Sequence, residues 1–201
     1  MKNYLLFIII SSMLLSVNHP DHKNLDHWNI LQDNNRIWVA WLDTPEIDWA
    51  RTISTIPYSI DKISKMIEDL ENYYQIFDRV KSSDVISDDI VHIRIDMPFP
   101  LSDRDYIVQY EIDIQSDYKS YKFQAVKDTG ISVNGDCIRL VNAAGEWYLK
   151  AVDGTSTKVV YTWNGELAGD FPNWALTRAW GKQGNEMIEW LTESLEELYK
   201  E

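Results

Sequence analysis

The chain has 201 residues, a length that suits one domain with its own hydrophobic core. With 32 Asp and Glu residues against 19 Lys and Arg residues, its formal net charge is −13. This acidity disfavours binding to nucleic acids and electrostatic docking onto anionic lipid headgroups, because both need a basic surface. A single cysteine, Cys137, excludes an intramolecular disulfide and a metal site built from several cysteines.

The first fifteen residues have the pattern of a secretory signal peptide. An early lysine is followed by an apolar run from Tyr4 to Leu15, which is shorter than the roughly 20 apolar residues of a transmembrane span. A weak cleavage signal precedes His19. We therefore expect residues 1–18 to be a signal peptide, residues 19–201 to form one domain, and the protein to be periplasmic or secreted. The alternative is a protein that an uncleaved N-terminal segment anchors in the membrane.

After a polar stretch, the first half of the chain predicts two strands and one helix. Residues 36–42 and 49–56 have the composition of short strands, and a turn sequence joins them. From Ser59 to Phe77, apolar residues recur at spacings of three and four. This period predicts an amphipathic helix that packs one face against the core.

The second half predicts an antiparallel sheet followed by a long helix. Apolar and polar residues alternate in a series of segments, as they do in strands with one buried face. These segments are 91–97, 106–114, 121–125, 138–142, 146–152 and 158–164. A final amphipathic stretch predicts a helix that ends near Tyr199. Seven to nine antiparallel strands with helices on one face of the sheet make an α+β architecture.

Three sequence motifs follow this order of elements. Residues 97–106 read MPFPLSDRDY, residues 145–149 read GEWYL, and residues 169–175 read GDFPNWA just before the last helix. The first motif resembles the P-x-P-L-S-D-R-D-[FY] sequence of the START (steroidogenic acute regulatory-related lipid transfer) family. The other two resemble that family's G-x-W-x-L strand and its G-x-[IF]-P-x-W approach to the C-terminal helix. The resemblance extends from about Asn29 to Glu201.

This resemblance implies the helix-grip fold of the Bet v 1-like superfamily. In that fold a curved antiparallel sheet wraps around a long C-terminal helix, with an internal apolar cavity between them. START-like proteins bind a sterol, a phospholipid or another hydrophobic molecule in the cavity and are usually not enzymes.

One face of the last predicted helix is a candidate wall for such a cavity: Trp180, Gly184, Met187 and Leu191 lie along it. A glycine destabilises a helix by about 0.5–1 kcal/mol relative to alanine, so a glycine at position 184 indicates a packing or functional role that offsets this cost. We expect Gly184 to leave open volume for a ligand. The alternative is close packing of the helix on the sheet.

Aromatic residues of the strands are a second group of candidates. Nine tryptophans and eleven tyrosines exceed what a core of this size commonly needs. We therefore expect Trp147, Tyr161 and Trp163 to line the ligand site together with Trp180. For any single one of them, the alternative is an ordinary core position.

Arg139 is the charged candidate, because it lies between two apolar residues of a predicted strand. Members of the resembled family often keep a charged residue inside the cavity, which implies that Arg139 orients a polar group of the ligand. The alternative is an arginine that faces outward. Nearby, His92 is expected to be exposed, and Asp103, Arg104 and Asp105 are expected to form structural ion pairs.

The remaining clusters of polar residues give little indication of a metal-binding or catalytic site. His19, His22 and His27 could attract a metal together with Asp21 and Asp26, but a solvated linker is the stronger alternative. The sequence contains no glycine-rich phosphate loop and no H-E-x-x-H motif. We therefore expect no cofactor and no metal.

The leading hypothesis is a noncatalytic protein outside the cytoplasm that binds or transfers a lipid or another hydrophobic molecule. We expect a monomer that contacts membranes transiently and does not bind nucleic acid. The alternative is an enzyme similar to the polyketide cyclases and aromatases, with Arg139, Tyr148 and Tyr161 as its polar residues in the cavity. A scaffold whose cavity is collapsed is a third interpretation.

Overall fold

The computed structural model describes residues 17–127, 129–133, 135, 137–164, 167–169 and 171–200. The predicted signal peptide, residues 1–18, lies outside the described residues except for its last two. None of the helices described for these residues is both long enough and apolar enough to cross a membrane.

Ten strands of the described residues form one sheet. They are β1 (Asn29–Asp33), β2 (Ile37–Leu42), β3 (Trp49–Ile56), β4 (Val80–Ser87), β5 (Ile90–Ile95), β6 (Arg104–Ile114), β7 (Tyr118–Ala125), β8 (Ile138–Arg139), β9 (Ala144–Ala151) and β10 (Thr157–Asn164). Their spatial order is β1-β2-β3-β10-β9-β7-β6-β5-β4, and neighbouring strands in this order are antiparallel. The short β8 instead pairs in parallel with the first residues of β6.

The two strands that the sequence pattern did not predict, β1 and β4, are the two edges of the sheet. An edge strand faces solvent along much of its length, so its apolar alternation is weak. In β4 only Ser83 is buried. The predicted strand 138–142 is shortened in the structure to β8, which pairs only with Arg104 and Asp105 of β6. It extends no further because β7 pairs with β6 from Val108 onward.

The predicted helix from Ser59 to Phe77 is divided in the structure. Helix α1 (Ile60–Glu68) ends at Asp69, whose backbone leaves the helical region with ψ at 62°. A single 3₁₀ turn (Leu70–Asn72) and the short helix α2 (Tyr73–Ile76) follow. The Tyr73 hydroxyl donates to the Ile67 carbonyl at 2.6 Å, which satisfies one of the carbonyls that the end of α1 leaves free.

The C-terminal helix α3 (Leu176–Leu198) packs on one face of the sheet, which we call the inner face. It buries Trp180, Gly184, Ile188, Leu191 and Leu195 there. A largely antiparallel sheet with its helices on one face confirms the predicted α+β class.

The N-terminal segment, residues 17–28, covers part of the opposite, outer face. Arg51 in β3 is fully buried, and its guanidinium donates to the carbonyls of Pro20, Asp21 and Asn24 at 3.0–3.1 Å. The ring of Trp28 lies 4.3 Å from the same guanidinium. The prediction of a solvated linker is therefore wrong, because a buried charge on the sheet needs these carbonyl partners.

Histidines of the N-terminal segment also pack on the sheet. The His22 ring stacks on Tyr148 with the centroids 3.6 Å apart, and a ring nitrogen of His19 lies 3.1 Å from the Gly145 carbonyl oxygen. Within the part of the chain that the structure describes, no group of three His, Cys, Asp or Glu side chains is placed to hold a metal ion.

Candidate functional site: an aromatic cavity under the C-terminal helix

A cavity of about 60 Å³ lies between the inner face of the sheet and α3. We call it the aromatic cavity, because eight of the thirteen described residues that line it are aromatic. The lining residues are Tyr73, Phe77, Arg79, Val80, Ile95, Tyr106, Tyr110, Phe123, Trp147, Tyr161, Gln183, Met187 and Trp190. Larger depressions of about 430–550 Å³ lie elsewhere and are open to solvent. We take the aromatic cavity as the candidate site because it is the more enclosed and mostly apolar.

Two neighbouring strands carry the aromatic wall of this cavity. Trp147 in β9 and Tyr161 in β10 are register partners, and their rings stack with the centroids 4.0 Å apart. Trp163 continues the stack 4.9 Å from Tyr161, and Phe77 lies 5.9 Å from Trp147 on the other side. The period of two along β10 places Tyr161 and Trp163 on the same face, which is why they stack.

Tyrosine hydroxyls supply the polar atoms of the wall. Burial raises the pKa of Tyr106, Tyr110 and Tyr161, so their phenols stay neutral at physiological pH. The hydrogen bonds among the described residues include no partner for the hydroxyls of Tyr106 and Tyr161. These two phenols can therefore donate to, or accept from, a polar atom inside the cavity.

An ion pair joins α3 to the sheet at the side of the cavity. Arg79, just before β4, donates through two nitrogens to the Glu186 carboxylate of α3, with both N–O distances at 2.9 Å. The pKa of Arg79 is raised, mainly by this hydrogen bond. Since the geometry is bidentate, the pair also orients the helix relative to β4.

Three of the residues predicted for the ligand site line the cavity: Trp147, Tyr161 and Met187. Trp163 is buried one ring further along the stack. Trp180 is buried against Trp41, with the centroids 5.5 Å apart, and Leu191 is fully buried in the core. The structure thus brings the strand aromatics together but leaves three of the four residues of the predicted helix stripe in ordinary packing.

The interpretation of Gly184 as open volume is wrong. A Cβ atom at this position would lie 2.9 Å from Cγ1 of Val39 and 3.3 Å from Cβ of Thr52. Contacts this short leave no room for a side chain, because both neighbours belong to packed strands of the inner face. The glycine instead allows close packing of α3 on β2 and β3, which was the alternative.

The expectation that Arg139 enters the cavity is also wrong. Its guanidinium donates to both carboxylate oxygens of Asp105 at 2.9 and 2.7 Å, on the outer face of the sheet. His92, expected to be exposed, is buried and lies 2.8 Å from the same carboxylate. Burial acts to raise the pKa of Asp105, but the hydrogen bonds from Arg139 and His92 outweigh it and hold the pKa below its usual value. Asp105 is thus the structural ion-pair residue that the sequence predicted.

Sequence reasoning missed several of the lining residues. Tyr106 and Tyr110 were placed on the apolar face of a predicted strand, but nothing in the pattern distinguishes a cavity tyrosine from a core tyrosine. Phe77 ends the predicted helix period, which predicts burial but not a cavity, and Arg79 lies between elements, where periodicity carries no signal. Only the pairing order of the strands brings these residues to Trp147.

Comparisons with known proteins agree with this architecture. No protein-family model and no curated protein sequence matches the chain. Among solved structures, it is similar to the STAR-related lipid transfer protein of Xanthomonas axonopodis, with 20% identity, a TM-score of 0.73, and 85% of this chain and 99% of that chain covered. It is also similar to human StAR-related lipid transfer protein 5, with 13% identity, a TM-score of 0.77, and 89% and 90% covered.

A more distant similarity is to the Zhui aromatase/cyclase of Streptomyces sp. R1128, with 15% identity, a TM-score of 0.53, and 74% of this chain and 93% of that chain covered. At these identities the likenesses establish the fold. The large antiparallel sheet and the long C-terminal helix are consistent with that fold, so the predicted resemblance holds at this level. The chain has the helix-grip fold of the STAR-related lipid transfer (START) domains.

Proposed function

We propose that this protein binds a hydrophobic molecule noncatalytically in the aromatic cavity. The observation that carries the proposal is the pair of hydroxyls on Tyr106 and Tyr161, whose side chains line the enclosed cavity and which have no hydrogen-bond partner among the described residues. A polar group of a bound molecule can form a hydrogen bond with them there. The likeness to two lipid transfer proteins supports the same function.

The cyclase alternative lacks the convergence of polar groups that it needs. Of the three residues nominated for it, only Tyr161 lines the cavity. Arg139 is paired with Asp105, and Tyr148 stacks on His22 at the outer face. General acid–base chemistry needs its groups within hydrogen-bond reach of one substrate, so we propose binding rather than catalysis.

Transfer of the bound molecule is the second part of the proposal. Phe99 and Trp174 are 97% and 84% exposed. Phe99 lies in the loop before β6, and Trp174 lies in a 3₁₀ turn (Asn173–Ala175) before α3. Arg104, the first residue of β6, donates to the carbonyls of Leu167 and Ala168 in the segment that precedes this turn. Exposed aromatic rings partition into the membrane interface, which supports transient membrane contact at this end of the sheet.

We further propose that the protein is exported and acts as a monomer. The support for export is the signal-peptide pattern of the first fifteen residues. Cleavage before His19 would keep the carbonyls of Pro20, Asp21 and Asn24 that bind Arg51. The mature chain would therefore retain its cover on the outer face.

Native mass spectrometry of the purified protein tests the proposed binding. We expect the protein to carry a hydrophobic molecule, and Met187→Phe to reduce its occupancy several-fold because the larger ring occupies the cavity. Glu189→Phe is the matched control, since Glu189 is an exposed residue of the same helix. A parent protein that shows only its bare mass, and that no hydrophobic compound stabilises against heat, would contradict the proposal.

A further inference from the structure

The walls of the aromatic cavity differ in how deeply they are buried. Strand residues such as Trp147 and Tyr161 are buried, whereas the half-buried lining residues fall into two groups. One group lies on or just before β4, β5 and β6, and the other lies on α3: Arg79, Val80, Ile95 and Tyr106 face Gln183, Met187 and Trp190. The cavity therefore comes closest to solvent between these two groups, along a boundary that we call the seam.

The Arg79–Glu186 ion pair crosses the seam. Glu186 directly precedes Met187 on α3, and its carboxylate accepts from two nitrogens of Arg79 at 2.9 Å each. Among the ion pairs of the described residues, it is the one that joins α3 to another part of the chain. The two side chains are 28% and 17% exposed, so water can replace these hydrogen bonds when the pair separates.

The Arg79 end of this ion pair is fixed to the sheet. The Asp96 amide donates to the Arg79 carbonyl at 2.7 Å, and the Val80 amide donates to the Phe77 carbonyl at 2.8 Å. These two hydrogen bonds hold the turn from Phe77 to Val80 in place. If the seam widens, the movement must therefore come mainly from the side chains and backbone of α3.

The opposite side of α3 is closely packed. Asn185, the neighbour of Glu186, exchanges two hydrogen bonds with Gln32 of β1 at 2.9 and 3.0 Å. On the same side, Gly184 packs against Val39 without room for a Cβ atom. Two successive residues of α3 thus link it to the two edges of the sheet, by an amide pair toward β1 and by an ion pair toward β4. The aromatic cavity lies on the ion-pair side.

Lys182 provides a second partner for the Glu186 carboxylate. It lies one turn earlier on α3, with its Nζ atom 3.5 Å from Oε1 of Glu186, and its side chain is 67% exposed. When Arg79 separates from Glu186, this pair within the helix keeps a cation beside the carboxylate. The separation therefore needs less free energy than it would with an isolated carboxylate.

We propose that the seam is the portal through which a hydrophobic molecule enters and leaves the aromatic cavity, and that the Arg79–Glu186 ion pair is the latch that closes it. A cavity of about 60 Å³ admits such a molecule only when its walls part. The seam is where they part, because the other side of α3 is closely packed on β2 and β3. This inference rests on the proposed function and adds the route by which the cavity is filled.

Stopped-flow fluorescence with Nile red, a neutral dye that brightens in apolar surroundings, tests the inference on the purified protein. Glu186→Gln removes the charge of the latch at a residue that does not line the cavity. We expect it to raise the association and dissociation rate constants together, each roughly 2- to 5-fold, which is the worth of a partly exposed ion pair. The equilibrium dissociation constant should not change, because a latch affects passage and leaves the contacts of the bound dye intact.

Two control variants separate the latch from a general loosening of α3. Glu189→Gln makes the same change of charge at an exposed position of the same helix, and Gln32→Ala removes the amide pair on the β1 side. Both should exchange Nile red as the parent does. Met187→Phe should weaken the signal, which shows that the dye reports the cavity.

Salt provides a second readout that a merely structural role of Glu186 would not affect. Added salt screens a partly exposed ion pair, so it should speed the exchange of Nile red in the parent. In Glu186→Gln the amide carries no charge, and the acceleration by salt should be smaller than in the parent.

Three results would overturn the inference while the proposed function stands. They are unchanged rate constants in Glu186→Gln, a rise of its dissociation rate constant alone, or an equal acceleration by Gln32→Ala. Where Nile red does not bind but a hydrophobic molecule co-purifies, the loss of that molecule from the same variants, followed by native mass spectrometry, decides between these outcomes. A parent protein that binds no Nile red and carries no hydrophobic molecule contradicts the proposed function itself.

Discussion

Gly184 sets the distance between α3 and the sheet. The two γ carbons of Val39 would lie 2.9 and 3.1 Å from an added Cβ, and valine has little rotamer freedom with which to move away. Gly181, one turn earlier on the same helix, has no atom of the surrounding structure within 4 Å of the corresponding position. The two glycines are therefore a matched pair that differs in what surrounds them.

We predict opposite effects of alanine at these two positions. Gly184→Ala should lower the free energy of unfolding by about 1–3 kcal/mol, because overpacking outweighs the gain in helix propensity. Gly181→Ala should raise it by about 0.5–1 kcal/mol through that propensity alone. Urea unfolding curves of both variants measure the difference, and a gain of stability in both would show that α3 has room to shift.

Arg139 contributes to stability rather than to ligand selection. Asp105 is 1% exposed, and its carboxylate depends on Arg139 and His92 for partners. Its folded-state pKa is lower than its usual value, so the ionised form contributes stability at neutral pH that is lost as the pH falls below about 4.

We predict that Arg139→Leu lowers the free energy of unfolding at pH 7 by about 1–3 kcal/mol, because a buried acceptor loses one partner. The loss relative to the parent should shrink as the pH falls below about 4, where Asp105 takes up a proton in both proteins. Relative affinities for hydrophobic compounds should not change, since Arg139 lies outside the aromatic cavity. The exposed Arg36→Leu is the control, and a shift in ligand selectivity unique to Arg139→Leu would contradict the assignment.

At the scale of elements, the N-terminal segment is held by one buried cation and by ring stacking. Burial lowers the pKa of Arg51 to about 10, so Arg51 stays charged under the segment at neutral pH. Burial also lowers the pKa of His22, although nearby Glu146 and Asp21 act in the opposite direction. Docking of the segment therefore favours the neutral form of His22.

We predict that acidification loosens this segment. The unfolded-state pKa of histidine is about 6.5 and the folded-state pKa of His22 is lower, so the contribution of His22 is complete above pH 6.5 and declines as the pH falls toward the folded value. Hydrogen exchange of the amides of residues 21–24 should be faster at pH 5.5 than at pH 7.5, after correction for intrinsic rates. His22→Phe retains a ring against Tyr148 and should remove this part of the pH dependence. If His22→Phe keeps the pH dependence of exchange seen in the parent, another titratable group causes that dependence.

At the scale of the whole molecule, charge and exposed aromatic rings determine which membranes the protein can contact. A formal net charge of −13 repels anionic headgroups, so any contact must come from apolar insertion at one end of the sheet. Phe99 lies before the start of β6, whereas the exposed Ile114 is the last residue of β6. At the usual rise of a strand, the two ends of β6 are about 34 Å apart.

We predict that the protein sediments with zwitterionic phosphatidylcholine vesicles more than with vesicles rich in phosphatidylserine. Phe99→Ala and Trp174→Ala should each weaken this binding several-fold, because each removes a large exposed ring. Ile114→Ala is the control at the opposite end of β6 and should bind as the parent does. Equal loss in all three variants would mean that the contact is not localised at Phe99 and Trp174.

The sequence by itself determined the α+β class, most of the strands and the long closing helix, because the order of apolar and polar residues along each element is a local property. The predicted α3 stripe agrees with the buried face of that helix, whereas β6 near Tyr106 and β10 near Tyr161 are buried on both faces instead of on one. The edge strands β1 and β4 escaped prediction, since solvent on their exposed sides removes the alternation.

Only the tertiary structure decided which of these residues meet. Trp147 and Tyr161 form one wall because β9 and β10 are neighbours in register, while Arg139 is directed to Asp105 because β8 pairs with the start of β6. Whether Gly184 leaves a space or closes one depends on the distance between α3 and Val39. These outcomes depend on contacts between residues far apart in the chain, and local patterning carries no information about such distances.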